Sequence, residues 1–233
     1  MMLPARFRAS VAALAALTLP ACAGLAPSGP LGPAAGSQDD DSQACVEAGL
    51  RGRPSPDILR DAAGKFRREC SDGVSSACST MGVMYELGRG VPRDEARAAA
   101  LYGHACRMSN ARACLNLGLL HAQGTGVPQL SAPAAVLFDT ACREGIAEGC
   151  FELGKLYERG NGVQFDPGQA GLLFERSCEA GLAAACLQLG GLHERGSGVA
   201  RDLTRAVQLY EQACRDGNRA GCSELERLFA RGK

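Results

Sequence analysis

The sequence predicts an all-α solenoid, a row of short helical hairpins stapled by disulfides, and three observations predict it. Five cysteine pairs (Cys70/Cys78, Cys106/Cys114, Cys142/Cys150, Cys178/Cys186 and Cys214/Cys222) share a C-x7-C spacing and follow one another at 36-residue steps. Apolar residues between the pairs fall at helical spacing. Gly-x-Gly-Val turns recur in phase at Gly88, Gly124, Gly160 and Gly196. A period in this range marks supersecondary units stacked in a row, not one globular core.

The N-terminal residues read as an export signal. Arg6 and Arg8 give a positive start, and Ala9 to Leu19 give an apolar run of 11 residues, against the roughly 20 that a retained spanning helix needs. The run ends in Leu19-Pro20-Ala21-Cys22, which resembles the bacterial lipobox and implies cleavage after residue 21 with a lipid on Cys22. Ala21-Cys22-Ala23 also fits ordinary cleavage, which gives a free secreted protein. Either way the chain leaves the cytoplasm.

Residues 22–55 follow as a tether, rich from Ala23 to about Ala44 in Ala, Gly, Pro and Ser and then in Asp39-Asp40-Asp41, with a partial helix near 43–50. Such composition buries too little apolar surface to offset the ordering entropy. The whole chain carries 25 basic and 25 acidic residues, so it has no basic excess with which to hold nucleic acid.

The repeat domain spans 56–233. Gly149-Cys150-Phe151-Glu152-Leu153-Gly154-Lys155-Leu156-Tyr157-Glu158 exemplifies the first helix type, A, closed by the Gly-x-Gly-Val turn. The second type, B, opens at Asp94, Asp166 or Asp202 as N-cap; Leu130 fills that slot in one copy, where Ser131 is the alternative cap. Each B helix carries Ala98, Ala134, Ala170 or Ala206, then an aromatic residue (Tyr102, Phe138, Phe174 or Tyr210). It closes on a cysteine, with Gly73, Gly145, Gly181 or Gly217 three residues on; Ser109 is the exception. Helices this short need their neighbours for stability. The chain thus reads as five B-A hairpins.

Two cysteine connectivities fit. Eight residues along one helix span ~12 Å, too far for a bridge. A C-x7-C bridge therefore requires the chain to reverse inside the pair, tying the end of B to the start of the next A. Alternatively, Cys78–Cys106 and its equivalents close the A-B hairpin. The local pairing closes shorter loops and uses every repeated cysteine. Zinc is a poor fit without C-x-x-C or supporting His, and an exported chain favours disulfides. Gly82, Gly118, Gly154 and Gly190 inside the A helices imply close backbone approach to a neighbour, and Glu226 fills that slot in the last copy as a polar cap.

The pattern L-G-x-L-Y-E-x-G-x-G-V-x-x-D-x-x-x-A-x-x-L-Y-x-x-A-C-x-x-G resembles the Sel-1-like repeat, a relative of the tetratricopeptide repeat, in its exported cysteine-rich Hcp-type form. The resemblance covers about residues 56–233 and implies a right-handed α/α superhelix with the A helices on its concave face. It implies a binding scaffold, with penicillin-binding or weak β-lactamase activity as the alternative. With Cys22 acylated, 11 of 12 cysteines remain, and Cys45, out of phase with the rest, is the unpaired one.

No catalytic constellation is present: S-x-x-K, K-T-G, G-x-S-x-G and H-E-x-x-H are all missing. His121 and His193 fill the slot of Tyr85 and Tyr157 and read as packing at a helix end. On the concave face the position two after each A cysteine is polar (Thr80, Asn116, Glu152, Gln188, Glu224), with Val83, Leu119, Lys155 and Gly191 one turn on. Such a ladder suits an extended peptide or a glycan strand. The expected partner is a protein, a peptide or a peptidoglycan fragment. No nucleic acid, cofactor or metal is expected, membrane contact is through the lipid alone, and the monomer is the expected state. The expected location is the cell envelope, on the outer membrane facing the periplasm, or outside the cell if Cys22 is not acylated.

Overall fold

A computed structural model of the protein describes residues 56–231. The expected export signal, the lipid site at Cys22, the tether with its partial helix and Cys45 all lie outside the described residues. Those described form ten helices: α1 (Pro56–Ser71), α2 (Ser75–Leu87), α3 (Glu95–Arg107), α4 (Ala111–Gln123), α5 (Ser131–Arg143), α6 (Ala147–Arg159), α7 (Pro167–Glu179), α8 (Ala183–Arg195), α9 (Leu203–Arg215) and α10 (Arg219–Arg231). The even-numbered helices are the A type and the odd-numbered the B type. Each packs against its neighbours in sequence, so the all-α solenoid is present.

Local chemistry sets the helix ends. The carboxylates of Asp94, Asp166 and Asp202 accept from the backbone N–H groups of Arg97, Gln169 and Arg205 at 2.9–3.0 Å, capping α3, α7 and α9. Ser131 does not cap α5: it is the first helical residue, and Leu130 stands before it with no side-chain bond. The A helices α2, α4, α6 and α8 end on left-handed glycines, Gly88, Gly124, Gly160 and Gly196, at φ 66–73°.

Two kinds of corner alternate. From each A helix to the following B helix, an aromatic ring fills a notch left by a glycine. Tyr102, Phe138, Phe174 and Tyr210 lie against Gly82, Gly118, Gly154 and Gly190, with ring carbons 2.5–2.7 Å from where a Cβ would stand. Any side chain there would collide with the ring. Glu226, in the same slot on α10, is exposed and leaves no glycine notch there.

From each B helix to the next A helix, a disulfide spans the turn. Cys70–Cys78, Cys106–Cys114, Cys142–Cys150, Cys178–Cys186 and Cys214–Cys222 are bonded, with Cα atoms 4.5–4.7 Å apart. The chain reverses through Gly73, Gly145, Gly181 and Gly217 at φ 87–92°, and through Ser109 at φ 63°. The alternative hairpin connectivity is not formed. Helix contact is more extensive across the glycine-notch corners than across the stapled ones. The disulfides therefore sit where non-covalent packing is thinner.

Candidate functional site

Consecutive A helices reach one another through ion pairs. Arg112 on α4 meets Glu148 on α6 at 3.2 Å, Arg195 on α8 meets Glu158 on α6 at 3.2 Å, and Arg227 on α10 meets Glu194 on α8 at 2.5 Å. Between B helices, the bond that spans one repeat runs from the Arg176 guanidinium to the Arg143 carbonyl. Large apolar residues stand exposed on the B side, Val136 and Leu172 among them. The A helices α4, α6, α8 and α10 thus form one ion-paired face, called inner for the side expected to be concave, and the B helices form the opposite, outer one.

The polar ladder read from the sequence divides along that face. Thr80 does not line it: it is only 3% exposed and lies in the stretch of α2 from Ala77 to Met84 that is buried at every position, Val83 included. Asn116, Glu152, Lys155, Gln188 and Glu224 are half-buried and reach the surface. The Lys155 ammonium donates to both oxygens of Glu152 at 2.6 and 2.9 Å and lies 5.2 Å from the ring centroid of Phe151. Phe151 in turn lies 5.8 Å from the ring of Phe174.

The densest chemistry lies between α8 and α10, where a cavity of about 430 Å³ is lined by Gln188, Gly191, Glu194, Arg195, Tyr210 and Arg227 among others. Gly191 opens it, standing where α2, α4, α6 and α10 carry Val83, Leu119, Lys155 and Arg227. The Tyr210 hydroxyl donates to Glu194 at 2.9 Å, and the Arg227 guanidinium donates to both Glu194 oxygens and, through Nε, to Glu224 at 2.5 Å. Burial, and then the bond to Glu194, push the Tyr210 phenol well above its ordinary value. The bonds to Glu194 and then Glu224 raise the Arg227 guanidinium further. Sequence reasoning missed this network. A partial signal was present: tyrosine stands at 102 and 210 opposite Glu86 and Glu194, and Phe138 opposite Ala122, but Phe174 also stands opposite a glutamate, Glu158.

A carbonyl can only accept, so His121 and His193 donate through Nδ1 to the carbonyls of Pro128 and Ala200, at 3.3 and 3.1 Å, and hold the inter-helix turn. Among the described residues no group of three His, Cys, Asp or Glu could hold a metal ion, and no helix is long and apolar enough to cross a membrane.

The chain is similar in structure to a protective antigen of uropathogenic Escherichia coli strains that displays an SLR fold: 27% identity, TM-score 0.73, over 84% of this chain and 41% of that one. It thus spans about two fifths of that protein. A Sel1 repeat protein of Oxalobacter formigenes is similar at 25% identity and TM-score 0.72, over 84% of this chain and 78% of its own. The cysteine-rich protein B of Helicobacter pylori is 28% identical, with TM-score 0.47, over 57% of this chain and 96% of its own. No curated protein matches the chain. The Sel1 repeat profile matches residues 75–110, 111–145, 147–182 and 183–218, each an A helix with the B helix that follows. These four units span more than half of the sequence, and the chain belongs to the Sel1 repeat family.

Proposed function

We propose that this Sel1 repeat protein is an interaction scaffold of the bacterial cell envelope that binds an extended protein segment along its inner face, from α4 to α10. The observation that carries the reading is that face itself. It is polar, ion-paired from helix to helix and opened by a cavity, whereas the core beneath it is closed by rings and disulfides. Asn116, Glu152, Lys155 and Gln188 are the contact residues; a peptidoglycan strand is the other ligand the polar ladder suits. Cross-linked A helices lose little order on binding, which favours affinity.

Five disulfides belong to an oxidising compartment. With them goes the full reading of the chain: an export signal over 1–21, a lipid on Cys22, a tether to residue 55 and a repeat domain over 56–233 at the outer membrane. Mass spectrometry of the mature protein tests the lipid and the cleavage point together.

The binding face is tested by a photoreactive side chain placed in the exported protein at Gln188 or, as a control, at Val136 on the outer face. Discrete crosslinks from position 188 that are missing from 136 are expected. Equal crosslinking from both positions, or none from 188, overturns the reading. The β-lactam alternative is decided by nitrocefin hydrolysis, where turnover above a denatured control would displace the scaffold reading.

A further inference from the structure

The cavity between α8 and α10 has a lining whose charged groups divide into two sets. Glu194, Arg227, Glu224 and the Tyr210 hydroxyl are bonded to one another and form its back wall. Arg195 is different. Its side chain is 57% exposed, and its hydrogen bond runs from one Nη2 to Glu158 at 3.2 Å. Its tip folds back over Gly191, with Nη1 3.0 Å from where a Cβ would stand. Nη1 therefore lies at the notch with hydrogen-bonding capacity to spare, and a guanidinium is a donor without acceptor capacity. The carboxamide of Gln188, one turn earlier on α8, adds a further donor to the same cavity.

From this geometry we infer that the Gly191 notch is a carboxylate-binding subsite, in which Arg195, helped by Gln188, takes an acidic group of the bound segment. The inference rests on the inner-face reading above and gives it a chemical class. A guanidinium offers two parallel N–H groups, which match the two oxygens of a carboxylate. Gly191 is the enabling residue: a side chain there, as in the other A helices, would fill the notch and displace the Arg195 tip. Arg227 stands on both back-wall carboxylates and Arg195 on Glu158, so the site holds two guanidiniums and three carboxylates, and a ligand carboxylate is taken by Arg195 in competition with Glu158. An acidic side chain and a free chain terminus present the same group, and the experiment separates them.

The probes are blocked tripeptides, Ala-Glu-Ala, Ala-Gln-Ala and Ala-Lys-Ala, together with Ala-Ala-Ala carrying a free C-terminal carboxylate. Each is titrated into the oxidised, ¹⁵N-labelled protein, and the amides of Gln188, Gly191 and Ala220 and the Nε–H of Arg195 are followed. Saturable shifts are expected with the Glu probe or the free terminus, at least tenfold tighter than with the Gln or Lys probes; which of the two is tighter names the source. Arg195→Gln should abolish these shifts, and Arg195→Lys should weaken binding severalfold. Gly191→Leu should abolish them while leaving the remaining spectrum and the Tm intact, since leucine is a better helix former and α4 carries one in this slot. Equal binding of the Lys or Gln probe, unchanged binding by Arg195→Gln, or no shift at tens of millimolar overturns the subsite. Crosslinking from position 188 reads occupancy whatever its chemistry, so it can succeed where the subsite fails.

Discussion

The two kinds of corner that alternate along this solenoid solve one packing problem by opposite means. Where A leads into B, a glycine removes a Cβ and a ring enters the space, so that the helices pack broadly. Where B leads into the next A, packing is thinner, and a covalent bond between Cα atoms 4.5–4.7 Å apart holds the helices instead. A hydrophobic notch stabilises the folded state through contacts; a short-loop disulfide acts largely on the entropy of the unfolded chain. In a repeat protein each contribution is local, because every unit touches only its neighbours.

The largest effect is expected from closing a notch. In Gly154→Val the new Cβ would stand 2.7 Å from the Phe174 ring, which is fully buried and has nowhere to go. The cost should be about 3 kcal/mol or more, read by urea unfolding, outweighing any gain in helix propensity. Gly64 in α1 is the control, since a Cβ there meets only the Arg68 tip at 4.0 Å. Gly64→Ala should stabilise by up to about 1 kcal/mol. A destabilised Gly64→Ala together with a tolerated Gly154→Val would show that the notch is not what fixes the A-to-B corner.

Next comes the staple. Replacing Cys142 and Cys150 together by Ser opens a nine-residue loop, worth about 2–3 kcal/mol on chain-entropy grounds. Hydrogen exchange should quicken at the turn between α5 and α6 and spread into both helices before it reaches the α6–α7 corner. Uniform acceleration over the whole domain would instead mean that the staples act globally.

Much of this contrast was legible in the sequence, because cysteines and glycines carry geometric demands that few other residues satisfy. A C-x7-C pair can bridge only across a reversal, and a glycine repeated inside a helix announces a close neighbour. The inner face was harder to read. The slot of Thr80 is polar in every copy, yet Thr80 lies in a stretch of α2, Ala77 to Met84, that is buried at every position, which a register argument does not weigh. The Tyr210–Glu194–Arg227 network joins residues 16 and 33 positions apart. It depends on how three successive helices face one another, and that was decided by packing rather than by motif.

The two tyrosine-bearing corners refine the comparison, because Tyr210 adds to the ring packing a hydrogen bond that Phe174 lacks. Tyr210→Phe should cost about 1 kcal/mol. The folded phenol titrates above its ordinary value of 10.0, so the stability it contributes is complete below that pH. It is lost as pH rises through the higher, folded value. The gap in Tm between wild type and Tyr210→Phe should hold steady up to about pH 10 and narrow above it. A gap that stays constant above pH 10 would place the phenol outside the network.

The smallest effect belongs to the stapled corner between α3 and α4, where Ser109 occupies the left-handed position, at φ 63°, that glycine holds in the other four. A side chain in that region costs about 1–2 kcal/mol, partly offset by the unfolded-state entropy that glycine adds. Ser109→Gly should therefore stabilise, by about 0.5 kcal/mol, seen as a small rise in the urea midpoint at unchanged slope. The gain should be larger when Cys106 and Cys114 are both Ser, since the disulfide no longer enforces the reversal and the turn must form on its own backbone preference. Equal gains in both backgrounds would show that staple and turn residue act independently, so that the bond fixes the helix ends without helping to shape the turn between them.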